Sequence, residues 1–128
     1  MGMVAAKQGD LIIATDTHVE QTPMATTPTP HSFRGVIDGD LSQNVRIMGQ
    51  PAAVVGSTAT NTPPHTPTHG VFQRPPSNRG RIISGSDRVL INGKPAARAG
   101  DTAMTCNDPA DLPVGEVVVS GTGTVLVG

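Results

Sequence analysis

Residues 45–62 (VRIMGQPAAVVGSTATNT) and 89–106 (VLINGKPAARAGDTAMTC) coincide at nine of eighteen positions, at a constant offset of 44 and without a gap. The shared residues include Pro51-Ala52-Ala53 and Pro95-Ala96-Ala97, followed by Gly56 and Gly100. A repeat of this period makes each copy one supersecondary unit that must bury its apolar face against its siblings. A truncated third copy closes the chain: residues 118–127 (VVSGTGTVLV) align with 82–91 (IISGSDRVLI) at an offset of 36. The unit thus begins with an apolar pair, a small or polar residue, a glycine and a short turn, then an apolar-x-apolar strand. The first copy opens as Val36-Ile37-Asp38-Gly39, with two extra residues before Val45. Gly9-Asp10-Leu11-Ile12 reads as a relic of the Gly100-Asp101-Thr102 step, but no Pro-Ala-Ala core is visible near the N-terminus.

The units read as all-β. Arg81-Ile82-Ile83-Ser84, Val89-Leu90-Ile91 and Val117-Val118-Val119 are short, β-branched runs bounded by glycine turns. Gly85-Ser86-Asp87 and Gly121-Thr122-Gly123 have the length of tight hairpin connections, and Asn92-Gly93 marks another turn. No helical periodicity is sustained, and the prolines are too scattered for long helices. Only Phe33 and Phe72 are aromatic among 128 residues, against 15 Gly and 12 Pro. Such a chain lacks the large rings that anchor most cores, so it folds thinly and needs a staple. Cys106 is the single cysteine, which excludes an internal disulfide and leaves a metal, with four histidines at hand.

The net charge of −1 creates no field toward nucleic acid or anionic membrane. Arg74, Arg79, Arg81, Arg88, Lys94 and Arg98 concentrate positive charge, but without stacking aromatics they form no nucleic-acid groove. No stretch reaches the roughly 20 apolar residues of a membrane span. The run Leu11–Ala14 is too short for a secretory signal, and Ala6 stands where myristoylation of Gly2 wants Ser or Thr. The expected compartment is the cytoplasm. Residues 19–34 and 60–80 are rich in Thr and Pro and read as loop insertions, the first as surface linker. The second carries His65 and His69 with Phe72, which argues for local order around a ligand.

Gly93-Lys94-Pro95-Ala96-Ala97-Arg98-Ala99-Gly100-Asp101, preceded by Ile83-Ser84-Gly85-Ser86 and Val89-Leu90-Ile91-Asn92, resembles the PAAR-repeat family. The likeness covers about residues 35–128; the earlier copy departs from it as Pro51-Ala52-Ala53-Val54. What the resemblance implies is a single domain over 1–128, with repeat units near 35–62, 81–106 and 117–128. Its fold would be a small conical, pseudo-threefold arrangement of β-hairpins with long Thr/Pro-rich loops. Members tip the trimeric β-helical spikes of type VI secretion and related contractile injection systems. The resemblance implies a structural, non-enzymatic role, with one tip per spike trimer. Around Val45, Ile47, Val89, Ile91, Val125 and Val127 the base would meet the spike. Scarce aromatics fit a taper with no room for rings. The protein would be assembled in the cytoplasm and delivered outside the cell. Since the sequence ends soon after the third unit, no fused toxin is expected; the alternative role is an adaptor docking effector cargo non-covalently. Neither nucleic acid nor stable membrane insertion is expected.

The resemblance further implies a structural zinc near the apex, held by three histidines and a cysteine. Here the set would be His18, after Thr15-Asp16-Thr17, with His65, His69 and Cys106; His31 is the alternative to His18 or His65. Four such donors suit tetrahedral zinc and close its shell. His65 and His69 have the spacing of a helical metalloprotease pair, but Pro64 and Pro67 forbid the helix and no Glu accompanies them. Gly93-Lys94 is followed by Pro95, so no phosphate-binding loop is expected.

Overall fold

The computed structural model describes residues 2–121 and 123–128; Met1 and Thr122 lie outside, and with Thr122 the turn expected at Gly121-Thr122-Gly123. The fold is all-β, as the turn-bounded runs require. Short base hairpins pair β4 (Arg46–Ile47) with β5 (Gln50–Pro51) and β9 (Leu90–Ile91) with β10 (Lys94–Pro95). A third base hairpin is assembled from opposite ends of the chain: β1 (Met3–Val4) pairs with β13 (Leu126–Val127). Three further hairpins rise from this base. They are β2 (Leu11–Gln21) with β3 (Thr26–Gly39), β6 (Thr58–Asn61) with β8 (Arg79–Ile82), and β11 (Thr102–Thr105) with β12 (Leu112–Val118). Their antiparallel order β12-β11-β8-β6-β3-β2 closes on itself through β12–β2, and β7 (Val71–Phe72) adds to the outer end of β2. Closure removes the sheet edges that such short strands would otherwise expose.

A ring of backbone hydrogen bonds defines a pseudo-threefold axis. The N–H of Ala6 donates to Ala97 at 2.9 Å, that of Ala97 to Ala53 at 3.0 Å, and that of Ala53 to Ala6 at 3.0 Å. All three alanines are fully buried, together with Ala5, Ala52 and Ala96 beside them. Nothing larger than a methyl group fits where three backbones meet. The N-terminal unit therefore does contain the core that the sequence reading misses: Val4-Ala5-Ala6-Lys7-Gln8-Gly9-Asp10 takes the place of Pro51–Ser57 and Pro95–Asp101. Its N–H at Gly9 donates to Ile37 as Gly56 does to Ile82 and Gly100 to Val117, at 3.0, 2.9 and 2.8 Å. The missing proline concealed it, since Val4 accepts the bond from Ala99 that Pro51 and Pro95 accept from Gln8 and Val55.

Each turn after the alanine pair is closed by a side chain on the backbone three residues earlier. Asp10 accepts from Lys7 N (2.9 Å), Ser57 from Val54 N (3.0 Å) and Asp101 from Arg98 N (2.6 Å). Lys7 and Arg98 also pair ionically with these carboxylates, whereas Val54 and Ser57 form the one uncharged version. Arg98 does more: its guanidinium donates to the carbonyls of Gly85 (3.1 Å) and Gly128 (3.2 Å), tying the third base hairpin to the second. The motif's arginine thus stitches a split unit shut.

Above the alanine ring lie Ile37, Ile82 and Val117, then Ile12, Ala59 and Ala103, all buried. Phe33 comes next as the largest buried side chain, which corrects the expectation of a taper without rings. Its space exists because Gly35 and Gly80 flank it; a Cβ at Gly35 would stand 2.7 Å from the ring. Residues 19–34 are not linker either. They form the outer half of the β2–β3 hairpin, where eleven consecutive Cα pairs from Leu11/Val36 to Gln21/Thr26 keep register. The Thr and Pro there sit mostly on exposed positions of a strand pair, with Pro28 and Pro30 in β3, while β2 keeps a strict inward-outward alternation. Replacing Ala53 by Leu should overpack the axis and cost about 1–3 kcal/mol. Ala110→Leu, at an exposed loop position, should stay within about 0.5 kcal/mol. Chemical denaturation of both variants checks this.

Candidate metal centre

Strand β2 presents alternate residues to the interior, and along that row the chemistry changes from Ile12 and Ala14 to Asp16, His18 and Glu20, all buried. The inward row of β3 similarly runs from Ile37 and Gly35 through Phe33 to His31. The polar end is closed over by two connections: residues 62–78, between β6 and β8, and residues 106–111, between β11 and β12. Each of the three barrel hairpins therefore supplies something to one place on the axis.

At that place Asp16, His18, His65 and Cys106 bring one donor atom each within 4.8 Å of one another. Asp16 is wholly buried yet well partnered. Its Oδ1 accepts from Thr105 Oγ1 (2.6 Å) and Asn107 Nδ2 (3.3 Å), and Oδ2 lies 2.9 Å from His65 Nε2 and accepts from Cys106 Sγ at 3.5 Å. His18 is the opposite case. It is 1% exposed, and both ring nitrogens lack a hydrogen-bond partner. Asp108 Oδ2 stands 3.7 Å from Nδ1, beyond hydrogen-bonding distance. A buried polar group left unpaired costs on the order of 1–3 kcal/mol, so an imidazole orphaned at both nitrogens points to a ligand. Burial, reinforced by His65 nearby, lowers its pKa, which favours the neutral form that coordinates metal. Cys106 is likewise buried, and burial together with the Asp16 charge pushes its thiol up to about 11. A coordinating metal would displace that proton.

Three histidine rings gather here. His18 and His65 have centroids 5.0 Å apart, His31 lies 5.3 Å from His65 and 6.0 Å from His18, and Phe72 packs edge-on against His18 and His31. Of the residues named from the sequence, His18, His65 and Cys106 come together and His31 joins the ring cluster. His69 does not: its side chain is 78% exposed, with Nδ1 4.0 Å from Glu20. What matters at His69-Gly70 is the backbone. The His69 N–H is bonded inward, and a Cβ at Gly70 (φ 68°) would run into the carbonyl of Gln21 on β2. Asp16 and Glu20 were missed by sequence reasoning, although a period of two counted outward from Ile12 reaches both.

The base carries the other candidate surface. Ile47, Ile91 and Val127 are buried in a second apolar cluster, with Val45 and Val89 packed against it, while Val125 is exposed. Their neighbours Leu90, Leu126, Met48 and Met3 are the exposed apolar side chains of the three base hairpins.

A closed β-structure of three repeated hairpin pairs, with a histidine–cysteine cluster at one end of its axis, defines a PAAR-type fold. A family model described as PAAR motif matches residues 72–128, which supports membership of the PAAR-repeat family. The matched stretch holds the second copy and the closing half-copy; the nine identities at offset 44 connect the first copy to it. No curated protein matches the chain in a sequence search. Because Cys106 is enclosed and its thiol is raised, a thiol-reactive dye at pH 8 should leave the folded protein unlabelled and modify one thiol per chain after denaturation.

Proposed function

We propose that this protein is the structural tip of a contractile injection spike, seated by its base on a trimeric β-helical partner. The observation that carries the reading is the alanine ring, which arranges three base hairpins around one axis by the same backbone bonds. Such a base offers a threefold partner three similar surfaces from a single chain, which an unrepeated domain does not. Leu90, Leu126 and Met48 supply apolar contact there, with Val45, Ile47, Val89, Ile91, Val125 and Val127 forming the hairpins that carry them. The role is mechanical, not enzymatic. The tip is assembled with its spike in the cytoplasm and carried out of the cell with it.

At the other end the same reading assigns a structural zinc. Imidazole and thiolate donors together suit zinc. His18, His65 and Cys106 would hold it, with Asp16 as the carboxylate near enough to complete four ligands. The ion would join one hairpin to the two connections that cover it, a staple for a barrel whose core residues are half alanine. Protein mixed with the trimeric spike should elute as one tip per three spike chains. No complex, or three tips per trimer, would refute the capping role. Metal analysis should find one zinc per chain, lost in His18→Ala and Cys106→Ser. At free zinc about a hundredfold above Kd, the ion contributes about 2.7 kcal/mol. A chelator should accordingly lower Tm by roughly 10 °C, and an unchanged Tm would count against the staple.

A further inference from the structure

Glu20 stands outside the group that could touch a metal, yet it is 2% exposed and carries three donors. Its Oε1 accepts from the His69 N–H at 2.9 Å. Its Oε2 accepts from the Thr68 N–H at 2.9 Å and lies 2.7 Å from His31 Nε2. Burial alone would raise the pKa of this carboxyl. The two backbone N–H groups and His31 outweigh it and hold the pKa below its ordinary value. The segment these bonds reach is the one that delivers His65. From Pro63 to Gly70 it belongs to no strand. Its inward backbone ties are the His65 N–H to Asn78 Oδ1 at 2.8 Å and the two N–H groups on Glu20. One latch therefore holds the segment at His65 itself and the other at its far end.

We propose that Glu20 is the positioning residue of the metal centre. It folds residues 63–70 back across the barrel so that the His65 ring faces His18 and Cys106, and it fixes the His31 ring beside them. This rests on the reading that the cluster binds a metal. Both oxygens are engaged by donors from other residues, so Glu20 acts through what it holds and not as a ligand. Partners that hold the ligands of a metal centre in place from outside its shell are typically worth 10–100-fold in metal affinity. The proposal also explains how His69 contributes with its ring in solvent: its amide, not its imidazole, is the attachment.

The test uses the full chain as wild type, Glu20→Gln, Glu20→Ala and His69→Ala, with zinc affinity measured by chelator competition and ligation read from cobalt(II) absorption. Glu20→Gln should weaken zinc binding by about 10–100-fold. At saturation it should keep one metal per chain and the thiolate-to-cobalt band, because no ligand is removed. Glu20→Ala should be weaker still, and His69→Ala should match wild type. In the metal-free protein, hydrogen exchange of Glu20→Gln should quicken at residues 65–70 and stay unchanged in β6, β8 and β11. Wild-type zinc affinity in Glu20→Gln would overturn the proposal, as would a cobalt spectrum altered at saturation or equal loss of protection throughout the barrel. If the wild type takes up neither zinc nor cobalt, the metal reading falls first and this proposal with it. Normal binding with an unaffected Glu20→Gln would remove the proposal alone.

Discussion

Three amide hydrogen bonds, passed around a ring from Ala6 to Ala97 to Ala53 and back, set the geometry on which everything else in this protein depends. They bring three backbones together on one axis, which restricts the side chains there to methyl groups and explains why alanine is repeated where a larger core residue would bury more area. They also fix the phase of the barrel strands. Each alanine pair leads into a glycine turn held by Asp10, Ser57 or Asp101, and each turn delivers a strand whose inward positions are then determined by alternation. Base hairpins on one side and the barrel on the other are consequences of the same ring.

The barrel changes character with distance from that ring. Near it, Ile37, Ile82 and Val117 form an ordinary apolar layer. Beyond Phe33, the interior is lined by carboxylates, imidazoles and a thiol, and apolar burial no longer stabilises it. The carboxylates are compensated by dense hydrogen bonding: Asp16 and Glu20 each engage three or more donors. Among the described residues, only His18 has buried side-chain nitrogens without partners. A polar network with one unmet member is poor design for stability alone, and this is the physical reason the end of the barrel reads as a metal centre and not as a polar core.

Much of this was legible in the sequence, and the parts that were not have identifiable causes. The repeat at offset 44 disclosed two of the three units and the all-β character. The offset of 36 disclosed the closing half of the third; its other half was hidden at the N-terminus, where Val4 stands in place of Pro51 and Pro95. Composition misled about residues 19–34, where Thr and Pro suggested linker. The alternation Ile12, Ala14, Asp16, His18, Glu20 was the stronger signal, since a strand pair within a closed sheet tolerates exposed Thr and Pro but not a shifted inward row. For the site, the family resemblance pointed to His18, His65 and Cys106, and to His69 with them. It could not separate an imidazole that points inward from one whose amide does the work, because His65 and His69 differ only in how their shared segment is latched.

The base and the far end of the molecule make opposite demands on one axis. A surface matched to the proposed threefold partner would be best served by three similar hairpins, and the three base hairpins share one pairing pattern although one is assembled from opposite ends of the chain. On the proposed function, a single ion on the axis would accept only one set of donors, so the three connections above it would have to differ. They do: β2 reaches the axis with Asp16 and His18 inside a long hairpin, the second unit with His65 on an extended segment, and the third with Cys106 in a short turn. Divergence is accordingly concentrated beyond the barrel strands, while Ala52-Ala53 and Ala96-Ala97 stay identical. Repeat number is set by the base, and repeat individuality by the site.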